Sequence, residues 1–325
     1  CCAMPSLFAF LLGAHGATAV AMSGRSMVRA VDGRTVTPRA TLATATAAWP
    51  DLTDEPVMYP WAQAARTVVE VCTIATLSTT SSADGVEGTI CARVVAGAPS
   101  NTQPVRLLGA AEQLFVVDTD GCPIFGLRAG SQAAADLEKK AQASFSAHST
   151  AGSAQAGCGV TLVGRVSAAA ELPEDLLKKL VKRTGINSEQ LMQRSWLKLE
   201  PEHVHLTDAL QATEAWVPIE DYAAAEPNPL AEDLGEVMRK VNADYAHDLA
   251  RLAAMLTDAD EASTDGSQIL SVDPLGFDLA VGNGYGPDSN TLRIGLKVGP
   301  QTREEAISIF SKLFQEAYAR QQGWL

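Results

Sequence analysis

The sequence predicts an α+β protein: an antiparallel β-barrel followed by a small, separate α+β unit. Three observations carry this. Six or seven short strand-like runs crowd between Thr73 and Leu206 with a helix among them, a density that suits a closed or nearly closed barrel better than a parallel α/β sheet. Glu226-Pro227-Asn228-Pro229 then makes a stiff break. Beyond it lie an amphipathic helical stripe, three strand-like runs and a last helix, enough chain to fold alone. The expected boundaries are 58–225 for the barrel and 229–322 for the C-terminal unit.

Residues 1–50 read as a bipartite presequence. The stretch 4–21 contains Leu7-Phe8-Ala9-Phe10-Leu11-Leu12 and ends in Ala19-Val20-Ala21, a small-residue cleavage pattern, so it reads as a signal peptide. Its apolar run is far shorter than the roughly 20 residues that span a bilayer, and no membrane span is expected. Residues 22–50 carry Arg25, Arg29, Arg34 and Arg39 against Asp32 among many Ser, Thr and Ala, the composition of a transit peptide. The combination points to a plastid (chloroplast) reached by the secretory route, with a soluble mature protein.

The mature chain opens with an amphipathic helix from Pro60 to Glu70, then a strand from Thr73 to Thr80 that ends in a Ser, Asp and Gly turn. Further strands are expected at Gly88 to Val95, Leu114 to Asp118, Pro123 to Leu127, Ala143 to Ala147, Val160 to Ser167 and Trp196 to Leu206. Helices fall at Gly130 to Lys140, Pro173 to Arg183 and Ser188 to Arg194. After the break, Leu230, Leu234, Val237, Val241, Tyr245, Leu249, Leu252 and Leu256 recur at helical spacing and predict one long helix with a continuous apolar stripe. Strands at Gln268 to Val272, Gly276 to Val281 and Thr291 to Val298 lead to a helix from Arg303 to Arg320. Gly282-Asn283-Gly284-Tyr285-Gly286 lies between two of those strands and reads as a hairpin loop rather than a phosphate loop.

The whole chain has a formal charge of −13; without the leader's four Arg and one Asp it holds 21 basic and 37 acidic residues, or −16. That balance excludes nucleic acid and anionic membrane surfaces as natural partners. Cys72, Cys91, Cys122 and Cys158 show no CxxC pairing and fall in apolar stretches, so buried thiols are expected.

Five segments, Ala65-Arg66-Thr67-Val68, Ala75-Thr76-Leu77-Ser78-Thr79, Asp118-Thr119-Asp120-Gly121-Cys122-Pro123-Ile124, Val160-Thr161-Leu162-Val163-Gly164-Arg165-Val166 and Asp273-Pro274-Leu275-Gly276-Phe277-Asp278-Leu279, occur here in the order of a known group. In them the chain resembles the plastid HugZ-type haem-oxygenase-like proteins. These join an FMN-binding split barrel of the pyridoxamine 5'-phosphate oxidase kind to a C-terminal haem-utilisation-like domain. The resemblance runs from Pro60 to the end and implies a homodimer, because such barrels build their sites across a pair.

Where flavin-binding relatives carry His-Thr and then Asn facing the phosphate, this chain has Ala133, Ala134 and Asp136. Two alanines donate no side-chain hydrogen bond and a carboxylate repels phosphate, so FMN is not expected. Arg93, Arg128 and Lys139 are the cations that could compensate. The usual Gly-aromatic-Pro after the first strand is replaced by Ser82-Ala83-Asp84-Gly85-Val86-Glu87-Gly88, and the family's His-Met-Asn-x-Asp-His by Lys240-Val241-Asn242-Ala243-Asp244-Tyr245.

Haem iron needs an axial ligand, usually imidazole, and the mature chain offers His148, His203, His205 and His247. His203 and His205 share one face of a strand by the period of two. His148 enters a Ser- and Gly-rich run from which a ligand could reach a cleft, and His247 should point away from the apolar stripe. His148 and His203 are the first haem-iron candidates. The resemblance implies haem binding or haem degradation in tetrapyrrole metabolism. The alternatives are a non-catalytic regulator that binds a tetrapyrrole-synthesis enzyme such as glutamyl-tRNA reductase, and an FMN-dependent oxidoreductase.

Overall fold

The computed structural model describes residues 41–42, 49–53, 57–83, 86–96, 113–128, 130–149, 157–169, 171–208, 213–282 and 290–324. The signal-peptide stretch, most of the transit-like segment and the Gly-rich loop after Gly282 lie outside the described residues.

In chain order the elements are β1 (Thr41–Leu42), α1 (Trp61–Val71), β2 (Ile74–Ala83), β3 (Val86–Val95), β4 (Gln113–Val117), β5 (Pro123–Leu127), α2 (Gln132–Lys139), β6 (Gln142–His148), β7 (Cys158–Ala169), α3 (Glu174–Thr184), α4 (Ser188–Met192), β8 (Ser195–Asp208), β9 (Thr213–Val217) and α5 (Ile219–Ala224). The remainder are α6 (Leu234–Asp244), α7 (Ala246–Thr257), β10 (Gln268–Asp273), β11 (Gly276–Val281), β12 (Asn290–Gly295) and α8 (Arg303–Gln321). The expected α+β class holds.

Seven strands close the barrel in the order β5-β4-β3-β2-β6-β7-β8, with β5 returning to pair with β8, and β9 continues the sheet beyond β8. The expectation of a wholly antiparallel barrel needs one correction. β3 and β4 run parallel through Val94↔Gln113 and Val95↔Leu114, which the crossover between them permits.

β8 is long enough to pair with β5 at Ser195 to Lys198 and with β9 at Val204 to Asp208. Opposite it, β7 carries an irregularity between Val163 and Gly164. A β-carbon at Gly164 would stand 1.9 Å from the Glu200 carbonyl oxygen, so the strands approach closely only because that residue is glycine.

Alternation along the strands sends Leu77, Phe145, Leu162 and Val204 inward, and Phe115 and Phe125 meet Phe145 at 5.1 and 5.8 Å between ring centroids. Val68 and Val69 of α1 pack on the same core. β5 is buried at every residue because α3 and α4 cover its outer face through Leu176, Leu180 and Leu191; hence its unbroken apolar sequence. Two elements are absent from the sequence expectation: β9, a short strand, and α5.

In the second sheet, ordered β1-β12-β11-β10, Val272, Phe277 and Ile294 pack with α6, α7 and α8. The expected single helix from Leu230 to Leu256 is two helices. Tyr245, at φ −125° and ψ 28°, leaves the helical region and separates α6 from α7. The apolar stripe nevertheless continues across the break through Val241, Leu249 and Leu252.

Residues 49–53 also belong to this core. Leu52 bridges to Leu296, and the N–H of Thr53 donates to the Gly295 carbonyl at 3.0 Å. Trp49 lies buried with Leu52 beneath the Arg320 guanidinium, 4.7 Å from its ring centroid.

The Pro-rich break is a packed joint. Asn228, 1% exposed, donates through Nδ2 to the Val272 carbonyl at 2.7 Å and accepts from the Leu230 N–H at 2.9 Å, while its own N–H donates to Thr67 Oγ1 at 2.8 Å. Close by, Arg293 holds Asp273 with two 2.8 Å hydrogen bonds in full burial, and its Nε donates to the Val57 carbonyl. Burial lowers the tendency of Arg293 to hold its proton, but Asp278 and Asp273 outweigh this and keep it charged. Burial beside the pair pushes the Tyr59 hydroxyl up to about 12.

The thiols are less uniform than expected. Cys72 and Cys158 are buried, Cys122 is half-buried, and Cys91 is exposed because its odd position on β3 faces outward.

Candidate functional site

The segment Asp118 to Ile124 forms a tight turn between β4 and β5. Asp118 Oδ1 accepts from the N–H groups of Asp120 and Cys122 at 3.0 and 2.8 Å, and Oδ2 pairs with Lys198 at 2.7 Å. Arg66 donates to the Thr119 carbonyl at 2.6 Å, Tyr222 donates to the Gly121 carbonyl at 2.8 Å, and the guanidinium lies 5.4 Å from the Tyr222 ring centroid. Gly121 has φ +81°, and a β-carbon there would meet Arg66 at 2.1 Å. Burial, reinforced by Asp118, pushes the Cys122 thiol up to about 11. The polar groups of this motif are spent on holding the turn.

The helix that should grip a flavin phosphate is likewise committed to structure. Ser131 caps α2 by accepting from the Ala134 N–H at 3.3 Å. Asp136, 2% exposed, accepts from Ser81 Oγ at 2.8 Å, Thr79 Oγ1 at 3.3 Å and Gln132 Nε2 at 2.8 Å, tying α2 to β2. Burial raises its pKa, but the three hydrogen bonds and Lys139 outweigh it and hold the carboxyl below its ordinary value. A fixed negative charge thus stands on α2, with buried Ala133 and half-buried Ala134 beside it.

Arg128 and Lys139 are exposed, one after β5 and the other in the last turn of α2. Arg93 is exposed on the outward face of β3, opposite Thr76. From there a cross-strand row runs through Thr76, Ser146, Thr161 and His205 to Trp216. Ser146 and Thr161 share a 3.1 Å hydrogen bond.

His203 and His148 face the same outer surface, His203 two residues along β8 and His148 opposite Gly159. Gly159 leaves room for that imidazole: a β-carbon there would lie 2.7 Å from Nδ1. The indole of Trp216, 69% exposed, sits 4.7 Å from the His205 ring and 6.3 Å from that of His203. Pairing across β8 and β9 therefore gathers an indole with two imidazoles. The sequence places His203 and His205 on one face, but nothing local in it brings Trp216 to them.

His247 is exposed on α7, away from this surface's strands. Asn242 is structural: its side chain donates to the Ile269 carbonyl at 3.0 Å and accepts from the Ile269 N–H at 2.8 Å. Asp244 pairs with Lys240 at 2.8 Å. Among the described residues no three His, Cys, Asp or Glu side chains converge to hold a metal ion, and no helix is long and apolar enough to cross a membrane.

No protein-family model matches the sequence, and no curated protein matches it. Solved structures do match. A haem-binding protein from Mycobacterium smegmatis aligns with 81% of this chain and 99% of its own at 19% identity, with a TM-score of 0.52. A protein of unknown function from Agrobacterium tumefaciens covers 81% of this chain and 100% of its own at 19% identity, with a TM-score of 0.33. The haem storage protein HutZ from Vibrio cholerae aligns with 42% of this chain and 85% of its own at 17% identity, with a TM-score of 0.28. At these identities the first likeness shows the fold alone, and the other two carry no argument. The chain is an α+β split barrel with a further small sheet-and-helix unit.

Proposed function

We propose that this chain is a haem-binding split-barrel protein of tetrapyrrole metabolism, working in the plastid after loss of a leader, with modules at 58–225 and 229–322. That leader must end upstream of β1 rather than at residue 50, because Thr41 and Leu42 pair with β12 and Trp49 packs into the second unit. The observation that carries the reading is the pair His203 and His205 beside the exposed indole of Trp216, with His148 facing outward two strands away. Imidazoles are the usual haem ligands, and an indole offers a flat apolar partner for a porphyrin. The fixed Asp136 carboxylate counts against a flavin phosphate at the same time.

Arg93 is the proposed partner of a haem propionate. It stands two strands, about 10 Å, from the strand of His148, whereas the strand of His203 lies on the far side of the closed barrel. His148 is accordingly the favoured iron ligand; Arg128, just after β5, and Lys139, at the end of α2, are not members of the cross-strand row. Bound iron would supply any oxygen chemistry, and the protein would supply the ligand and the orientation.

The outward face, built of Ser78, Ser144, Ser146 and Thr161 between the histidines, suits burial against a second copy, and a homodimer is part of the proposal. Titration of the purified protein with haem should give a saturable Soret shift that His148→Ala weakens more than His203→Ala. A protein that leaves the free-haem spectrum unchanged sinks the reading. Sedimentation showing only monomer would remove the dimer.

A second reading is favoured by one observation: Asp118, Asp136 and Asn242 are all consumed in holding the fold. A scaffold whose polar motif positions serve structure can act by presenting a surface, which is the regulator reading, with a tetrapyrrole-synthesis enzyme such as glutamyl-tRNA reductase as partner. Capture from plastid extract that never enriches such an enzyme counts against it. A yellow, flavin-bearing preparation would instead favour the FMN oxidoreductase.

A further inference from the structure

β9 pairs with β8 on one side and, among the described residues, with no strand on the other. Along it runs a groove of about 550 Å³ between β9 with α5 and the start of α1, lined by Trp61, Gln63, Trp216, Val217, Pro218 and Asp221 among others. Trp61 and Trp216 are 39% and 69% exposed, so two indoles flank a free strand edge. An indole left in water beside unpaired backbone groups marks an interaction surface rather than a core.

The charged side chain in the lining of the groove is Asp221, with exposed Glu220 next to it on α5 and exposed Glu214 on β9. Glu220 and Asp221 are exposed and form no ion pair with another described residue, and Glu214 meets only His205, at 3.6 Å. No described Lys or Arg lines the groove. An acidic partner would be repelled here, and a neutral one would leave the carboxylates unused.

We infer that this groove is a docking site for an extended, arginine-bearing segment of a partner protein, added as a strand along β9. Main-chain pairing would come from the open edge of Thr213–Val217, about 17 Å of strand, ending at Pro218, which has no N–H to continue a ladder. Guanidinium groups would stack on Trp216 and Trp61 and pair with Asp221. The β9 edge, Trp61 and Asp221 take no part in the haem proposal; Trp216 is common to both.

The test is fluorescence anisotropy of a labelled peptide alternating Arg with Val or Thr, titrated with the full chain at two salt concentrations, beside a peptide with Glu for each Arg. The Arg peptide should bind saturably and more weakly at high salt, and the Glu peptide should not bind. Trp216→Ala should weaken binding on the order of tenfold, and Asp221→Asn by about threefold; both side chains are exposed, so circular dichroism should be unchanged.

Equal binding of both peptides, no binding of the Arg peptide, or indifference to Trp216→Ala would each overturn the proposal. Self-association that excludes the peptide and disappears in Trp216→Ala would assign the groove to a second copy instead, and likewise overturn it.

Discussion

Replacing Asn228 by alanine removes the side chain that ties the 226–229 break to the second sheet and to the chain entering α6. Two main-chain groups then lose their partners: the Val272 carbonyl, bonded at 2.7 Å, and the Leu230 N–H, bonded at 2.9 Å. The site is 1% exposed, so water does not readily replace the amide. Each buried group left unpaired costs about 1–3 kcal/mol, and the pair should cost about 2–4 kcal/mol once some relaxation is allowed. The Asn228 N–H to Thr67 bond is main-chain and survives.

Urea denaturation followed by circular dichroism and tryptophan fluorescence measures this loss directly. Asn228→Asp is the control: it keeps the acceptor for Leu230 but turns a carboxylate oxygen toward the Val272 carbonyl. Its folded pKa must rise, so its destabilisation should be present above the ordinary carboxylate pKa and ease as pH falls. A loss below about 0.5 kcal/mol for Asn228→Ala, with no pH dependence for Asn228→Asp, would refute the claim that this residue fastens the joint.

Three further outcomes are expected. Because the Asp136 pKa is lowered in the fold, its stabilisation is complete above its unfolded value and is lost as pH falls through the folded one; Asp136→Asn should therefore flatten the acid limb of the stability curve below about pH 4, seen by urea midpoints across pH. Trp49→Ala should destabilise by about 3–5 kcal/mol through an unfilled hole under Arg320, read by thermal melting. Maleimide labelling of the native protein with mass mapping should find Cys91 before Cys122, and Cys72 and Cys158 only after unfolding.

The barrel's strands were legible because alternation is a local property: β5 from Pro123 to Leu127 coincides with its sequence run, and β6 and β7 differ from theirs by a residue or two at each end. What depends on distant partners was not. The stripe from Leu230 to Leu256 keeps its period through Tyr245, so the break between α6 and α7 leaves no mark on it. β9 is short, and Glu214 and Trp216 on its outer side gave it no apolar face to be recognised by. Asp136 itself was visible in the sequence, but its hydrogen bonds to Thr79 and Ser81 span more than fifty residues and appear only when α2 docks on β2. The burial expected of Cys91 failed for the converse reason: its run is apolar, but its parity turns it outward.

The union of residues 41–42 and 49–53 with β12 and Leu296 bears on the order of synthesis. Leu52 and Leu296 are 244 residues apart, and β1 lies parallel to β12, so the small sheet cannot be completed until β12 has left the ribosome. The barrel has all of its strands much earlier. During that interval Trp49 and Leu52 have no core to enter, and the nascent chain must keep two of its apolar residues from other contacts. A processing event that cut downstream of Leu52 would remove them altogether and leave Leu296 and Arg320 facing an empty place.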